Sequence, residues 1–236
     1  MPRSAKPASP AAPPPKARGK VGRPPKTYVE TEELRTRIKA ATAKVFADRG
    51  YHGLAVEAIV QEAALSRPTF YRYFSNVDEV LGVVLSEVND RLVHDVQLAV
   101  RGAADPMAKV EAGLLAWRRW GEWVGPMLAS IYAEMHQTSS PAYHHRMGVI
   151  ELISKEVDAA YAQLGRGRIS RVLVETFVVG VEHLGYRYHL GEQGRSEEAW
   201  REIRSAMLRL AIGLLGARAE WSVAPQLAEQ LDIRLD

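Results

Sequence analysis

The residues whose types and spacing could do chemistry gather in one short stretch, SRPTFYRYF, running from Ser66 to Phe74. The chemistry they offer is recognition of a polyanion rather than bond-making. An arginine can pair with a guanine edge, a threonine methyl can touch thymine, and tyrosine hydroxyls can reach phosphate oxygens. Ser66 is a natural N-cap and Pro68 falls in the first turn, where a missing N–H costs nothing, so the stretch opens a helix. At about 100° per residue, Phe70 and Phe74 lie one turn apart on one face and Arg72 points the opposite way. Pro68, Thr69 and Tyr73 flank that outer face. Arg67 and Tyr71 lie at its edge, near the N-terminal end, where free N–H groups favour a phosphate. The phenylalanines are therefore the anchors, and Ser66, Arg67, Pro68, Thr69, Tyr71, Arg72 and Tyr73 are the candidate contacts to the major groove of duplex DNA.

Two earlier elements must position this helix. Thr31 followed by Glu32 and Glu33 is a good helix start, with acids at the positive end of the dipole. Ile38, Ala41, Val45 and Phe46 recur at helical spacing, and Gly50 supplies the stop. A second helix is expected over Val56 to Ala63 with Ile59 and Ala63 inward. Two short helices joined by a three-residue turn form a helix-turn-helix.

Ahead of this lies a segment of different character. Residues 1–26 carry seven lysines and arginines and no acid, which leaves −4 on the rest of the chain against an overall +3. Proline-rich and poor in large apolar groups, residues 1–28 are expected to be a disordered basic arm. Within it KVGRPPK holds a narrow Gly-Arg-Pro unit that can lie in an A·T-rich minor groove. The unit resembles an AT-hook core, with Val21 where that core has arginine. Lys20, Arg23 and Lys26 are the candidate minor-groove or phosphate contacts.

Hydrophobic residues make up 47% and charged residues 25% of 236 residues, the balance of a chain that folds in water. There is no cysteine, which excludes disulfides, thiolate catalysis and Cys-ligated zinc. No apolar run approaches the ~18 residues a membrane span needs, and the N-terminus has no apolar signal-peptide core. The expectation is a cytoplasmic, nucleoid-associated protein without membrane contact.

Taken together, AATAKVFADRGY (Ala40 to Tyr51) and EAALSRPTFYRYFSNVDEVL resemble the TetR family of transcriptional regulators over Ile38 to about Leu85. The resemblance implies an all-α homodimer. Each chain would carry an N-terminal three-helix helix-turn-helix DNA-binding domain (29–75) and a C-terminal helical domain (76–236) for ligand binding and dimerisation. It further implies a regulator, usually a repressor, that a small-molecule effector releases from its operator. Three positions depart from the family pattern. Leu54 and Ala55 stand where threonines commonly enter helix two, Val77 where a lysine commonly opens helix four, and Ala64 where the turn usually has glycine. The first two remove phosphate contacts that the cationic arm could replace.

Beyond Leu85 helical patterns continue over Asn76 to about Gly102, Pro106 to Trp123, Pro126 to Thr138, Pro141 to Leu164, Ile169 to Leu190 and Ser196 to Gly216, without a β-period segment. The last two helices are apolar nearly all round, which calls for cover on two sides. A second copy supplies it most simply, with Val174, Val178, Val181, Met207, Leu210 and Leu214 as the expected dimer interface. Trp117, Trp120 and Trp123 form a drifting face. With Met127, Tyr132, His136, Tyr143, His144, Phe177 and His183 they could line a pocket for an apolar or aromatic effector, or could equally be plain core.

Adjacent His144 and His145 diverge by about 100° and do not share a metal easily. No HExxH, GxSxG, phosphate loop or dinucleotide fingerprint is present, so no catalytic residue, metal or cofactor is expected. An architectural DNA binder without an effector, or a helical-bundle enzyme, remains the alternative.

Overall fold

The computed structural model describes residues 28–191 and 195–216. Among them the chain is all-helical: α1 (Tyr28–Arg49), α2 (Val56–Glu62), α3 (Arg67–Tyr71), α4 (Val77–Arg101), α5 (Pro106–Val124), α6 (Met127–Glu134), α7 (Pro141–Gln163), α8 (Arg171–Leu190) and α9 (Glu197–Leu215). Residues 1–27, and with them Lys20, Arg23 and Lys26, lie outside the described residues.

The helix starts follow from their caps. Ser66 accepts a hydrogen bond from the Thr69 N–H at 3.3 Å and Asn76 from the Glu79 N–H at 2.8 Å. Glu79 reaches back to the Ser75 N–H at 2.6 Å, so cap and third residue satisfy each other's end of the helix, a variant of the capping box. Asp105 caps the α5 N–H of Ala108 at 2.8 Å, and prolines occupy the first turns of α5 and α7.

Two boundaries differ from the sequence pattern by three residues or more. Helix α1 starts at Tyr28, three residues before Thr31, with Glu30 in its first turn. Helix α6 stops at Glu134 rather than Thr138. Gln137, Thr138 and Ser139 are exposed and form turns that deliver the buried Ser140 to cap α7.

The three head helices close around Ile38, Phe46, Ile59, Phe70 and Phe74, all buried, and α4 completes that core with Val80, Leu81, Val84 and Leu85. The same core continues into α5 and α6 through Trp120, Val124, Met127 and Leu128. Helix α6 lies against α1, where the buried Ser130 hydroxyl donates to the Phe46 carbonyl at 2.8 Å. A second core joins α5, α8 and α9 around Leu114, Tyr188, Trp200, Met207 and Leu208. Trp117 packs against both cores, so it marks the seam between them. Arg146 of α7 forks onto Glu182 of α8 at 2.8–3.0 Å, and Arg204 of α9 pairs with Glu111 of α5.

Candidate nucleic-acid interface and effector domain

Helix α3 divides its rings as its spacing requires. Phe70 and Phe74 are buried, their centroids 6.1 Å apart, and the Arg35 guanidinium of α1 sits 5.1 Å above the Phe74 ring. On the other side Arg67, Pro68, Tyr71 and Arg72 are exposed, Ser66 with them, while Thr69 and Tyr73 are half-buried. Tyr71 is 51% exposed yet meets the Phe70 ring edge-on at 5.5 Å, which holds its phenol at a fixed angle. Six of the seven candidate groups thus share one short helix and its two caps, and Tyr73 follows in the turn just after it.

Ser66, Thr69 and Arg67 already have local partners. The Thr69 and Ser66 hydroxyls are 2.9 Å apart, and Arg67 pairs with Glu57 of α2 at 2.7 Å in the open. A solvent-exposed pair of this kind is weak and can be exchanged for a phosphate. Arg72 and Tyr71 are exposed beside them.

The turn between α2 and α3 is held by a residue the sequence pattern did not single out. Arg37 of α1 donates from Nε to the Ala63 carbonyl at 2.6 Å and from Nη2 to the Ala64 carbonyl at 2.9 Å. These carbonyls, at the C-terminal end of α2, lack helical partners. A cation near that end also favours the helix dipole. Ala64 itself has φ +48°, the left-handed region where a side chain is strained. The signal was in the sequence: this is the position where the family usually has glycine. Leu54 is buried in the head core, Val77 half-buried against it, and Ala55 begins α2 with no side-chain cap, so none offers a polar group outward. Tyr51 and Asp78 tie the end of the α1 turn to the start of α4 through a 2.8 Å hydrogen bond, which raises the phenol's pKa.

The expected pocket lining is not brought together. The Trp120 indole donates to the Val88 carbonyl at 2.9 Å, and with Met127 it is core. Tyr132 is buried, edge-on to Tyr186 at 5.5 Å, and burial pushes its pKa well up. Trp123 is 49% exposed beneath the Arg91 guanidinium. His136, His144 and His183 are exposed, Tyr143 is half-buried edge-on to His144, and Phe177 packs on the second core. Three tryptophans at i, i+3, i+6 drift around the helix far enough that only Trp117 reaches the seam.

What the pattern missed there is His189. It is 6% exposed, and neither ring nitrogen has a hydrogen-bond partner. A cavity of about 140 Å³ lies elsewhere, between α7 and the start of α8, lined by Glu151, Asp158, Arg171 and neighbours. Among the described residues no group of three His, Asp or Glu is placed to hold a metal, and no helix is long and apolar enough to cross a membrane.

The expected dimer residues need correction. Val174, Val178, Val181 and Met207 are buried inside the protomer's own core, so they have no surface to offer a second copy. Leu210 is half-buried against Gly180 of α8, and Leu214 is half-buried. The outward apolar stripe of α8 is instead Val172, Val179 and Tyr186, interleaved with exposed Thr176 and His183. A helix apolar on two sides does not declare in its sequence which side meets its own chain.

Residues 38–84 match the model of the bacterial regulatory proteins of the tetR family. That segment carries the tetR-family N-terminal pattern. Among curated relatives it is 34% identical over 86 residues to the HTH-type transcriptional activator FasR of Mycolicibacterium smegmatis, a stretch covering 36% of this chain and 39% of FasR. It is 29% identical over 79 residues to the HTH-type transcriptional regulator HbdR of an Aromatoleum species, 34% of each chain. The similarity thus spans little more than a third of either relative. The fold extends further. A TetR-family regulator structure from Syntrophomonas wolfei superimposes with a TM-score of 0.66 at 14% identity, over 78% of this chain and 97% of that one. The regulator FadR of Bacillus subtilis, solved with stearoyl-CoA, does so at 0.63 and 15%, over 78% and 99%.

Proposed function

We propose that this chain is a regulator of the TetR family: a sequence-specific DNA-binding protein that works as a homodimer and is released from its operator by a small apolar or aromatic effector. The observation that carries the reading is α3. Two buried phenylalanines fix the helix, and Tyr71 and Arg72 project from the far side with Arg67, Pro68 and Thr69 around them. That arrangement suits a helix lying in the major groove, with Arg72 directed at base edges and the tyrosine hydroxyls at phosphates.

The dimer surface we assign is the α8 stripe. Val172, Thr176, Val179, His183 and Tyr186 recur at spacings of four and three, the pattern of a seam between two helices, and a two-fold axis lets the same stripe meet itself. Two heads would then address half-sites of a near-palindrome. The output we assign is repression; FasR, by name an activator, favours the opposite sign, and a promoter-reporter assay with the gene deleted decides between them.

Selection of bound duplexes from a random pool tests the reading. The regulator requires one near-palindromic winner, preferred by about 10³ or more over random DNA. Equal retention of all sequences, with strong salt dependence, supports an architectural binder instead.

A further inference from the structure

The seam between the two cores holds an unusual interlock. The His189 ring of α8 lies against Gly121 of α5, so close that a Cβ there would fall 2.4 Å from Nε2. The Trp117 ring of α5 lies in turn against Gly185 of α8, where a Cβ would overlap it outright. Trp117 meets the imidazole at 5.4 Å and Tyr188 meets it at 4.9 Å, both edge-on. Nδ1 and Nε2 are both buried and both unpartnered.

A neutral imidazole carries one donor and one acceptor, and burying both without partners is costly. Burial lowers the pKa of His189 to about 4, with Arg195 and Arg118 adding to that and Glu122 opposing it, so the ring is uncharged at neutral pH. Nor does the surrounding charge invite an ion. The Arg118 guanidinium is held by Glu122 at 3.0 Å and by Glu197 at 2.5 Å. What remains unmet in the seam is a neutral donor-acceptor pair among aromatic rings. Trp117 is half-buried and so connects this site to solvent.

We propose that the Trp117–His189 seam is the effector site, and that it takes an uncharged ring-bearing molecule with a hydroxyl group that pairs with the His189 imidazole as Trp117 swings aside. This rests on the effector-responsive reading above. Because Trp117 belongs to both cores, an occupant here separates or locks the two halves of the domain, and α5 passes that change to α4 and the head.

The test uses 2-naphthol and 2-methylnaphthalene, which differ by hydroxyl against methyl, titrated calorimetrically into the full chain. The expected result is at least a ~10-fold preference for 2-naphthol in the wild type, falling to one or below in His189→Phe. In the wild type labelled with ¹⁵N-histidine, 2-naphthol should also shift the His189 ring nitrogens, a readout independent of whether the variant folds. Failure of 2-naphthol to bind, equal binding of both, a preference that survives in His189→Phe, or unmoved ring nitrogens would each overturn the site. Operator binding measured in parallel separates the two proposals: a wild type that selects its operator but shows no hydroxyl preference loses the site and keeps the regulator.

Discussion

Arg37 donates from Nε to the carbonyl oxygen of Ala63 at 2.6 Å, and its second nitrogen takes the neighbouring Ala64 carbonyl at 2.9 Å. One side chain of α1 thereby fixes the turn from which α3 departs. Replacement by methionine, which keeps the apolar stem, should lower stability by about 1–2 kcal/mol in urea unfolding, because hydrogen bonds to a charged donor exceed neutral ones. Operator affinity should fall further than that loss of folded protein explains, since α3 would no longer be held at one angle.

Ala64 adopts φ +48°. A left-handed alanine costs about 1–2 kcal/mol, and the extra unfolded-state freedom of glycine returns part of it, so Ala64→Gly should stabilise the chain by roughly 0.5–1 kcal/mol. A raised urea midpoint at unchanged slope is the expected readout. The side chain is exposed, so no change in packing obscures the effect.

His189 gives the chain an acid-sensitive stability. Its folded pKa of about 4 lies below the ordinary 6.5, so between those values the unfolded chain takes up a proton that the folded chain refuses. The contribution is fully present above pH 6.5 and is lost as pH falls towards 4, to a total on the order of 3 kcal/mol. Stability measured from pH 7.5 to 4.5 should fall less steeply in His189→Phe than in the wild type.

Removal of residues 1–26 should weaken operator binding and flatten its salt dependence, since every phosphate the arm no longer neutralises takes about 0.9 from the log-log slope. The α3 face is untouched by the deletion, so the preferred sequence should not change. An unaltered slope would mean that the basic arm does not touch the phosphate backbone.

The head was legible because its pattern is one-sided. Ile38, Phe46, Ile59, Phe70 and Phe74 have polar neighbours on the opposite face, so helical spacing alone sends them inward, and the α3 outer face follows by subtraction. The C-terminal domain was not legible in this way. Helix α8 has apolar residues on both sides, and spacing could not distinguish inner Val174, Val178 and Val181 from outer Val172 and Val179. The tryptophan run misled for a related reason: at three-residue steps each ring meets a different neighbour, giving one core residue, one at the seam and one on the surface. Arg37 and His189 were invisible because their significance lies in what they face. A basic residue on α1 reads as solvated surface until the α2 carbonyls appear opposite it, and a histidine near the end of α8 reads as a dipole partner until its nitrogens prove to be enclosed.

The central claim is that the outer face of α3 reads base sequence, and the most direct measurement is the dissociation constant of wild type and Arg72→Ala on the selected duplex and on a scrambled one, at one salt concentration. Wild type should prefer the selected duplex by about 10³ or more, and Arg72→Ala, with unchanged helicity and dimer mass, should lose most of that preference. If Arg72→Ala discriminates between the two duplexes as well as wild type does, the face assigned to DNA is the wrong one.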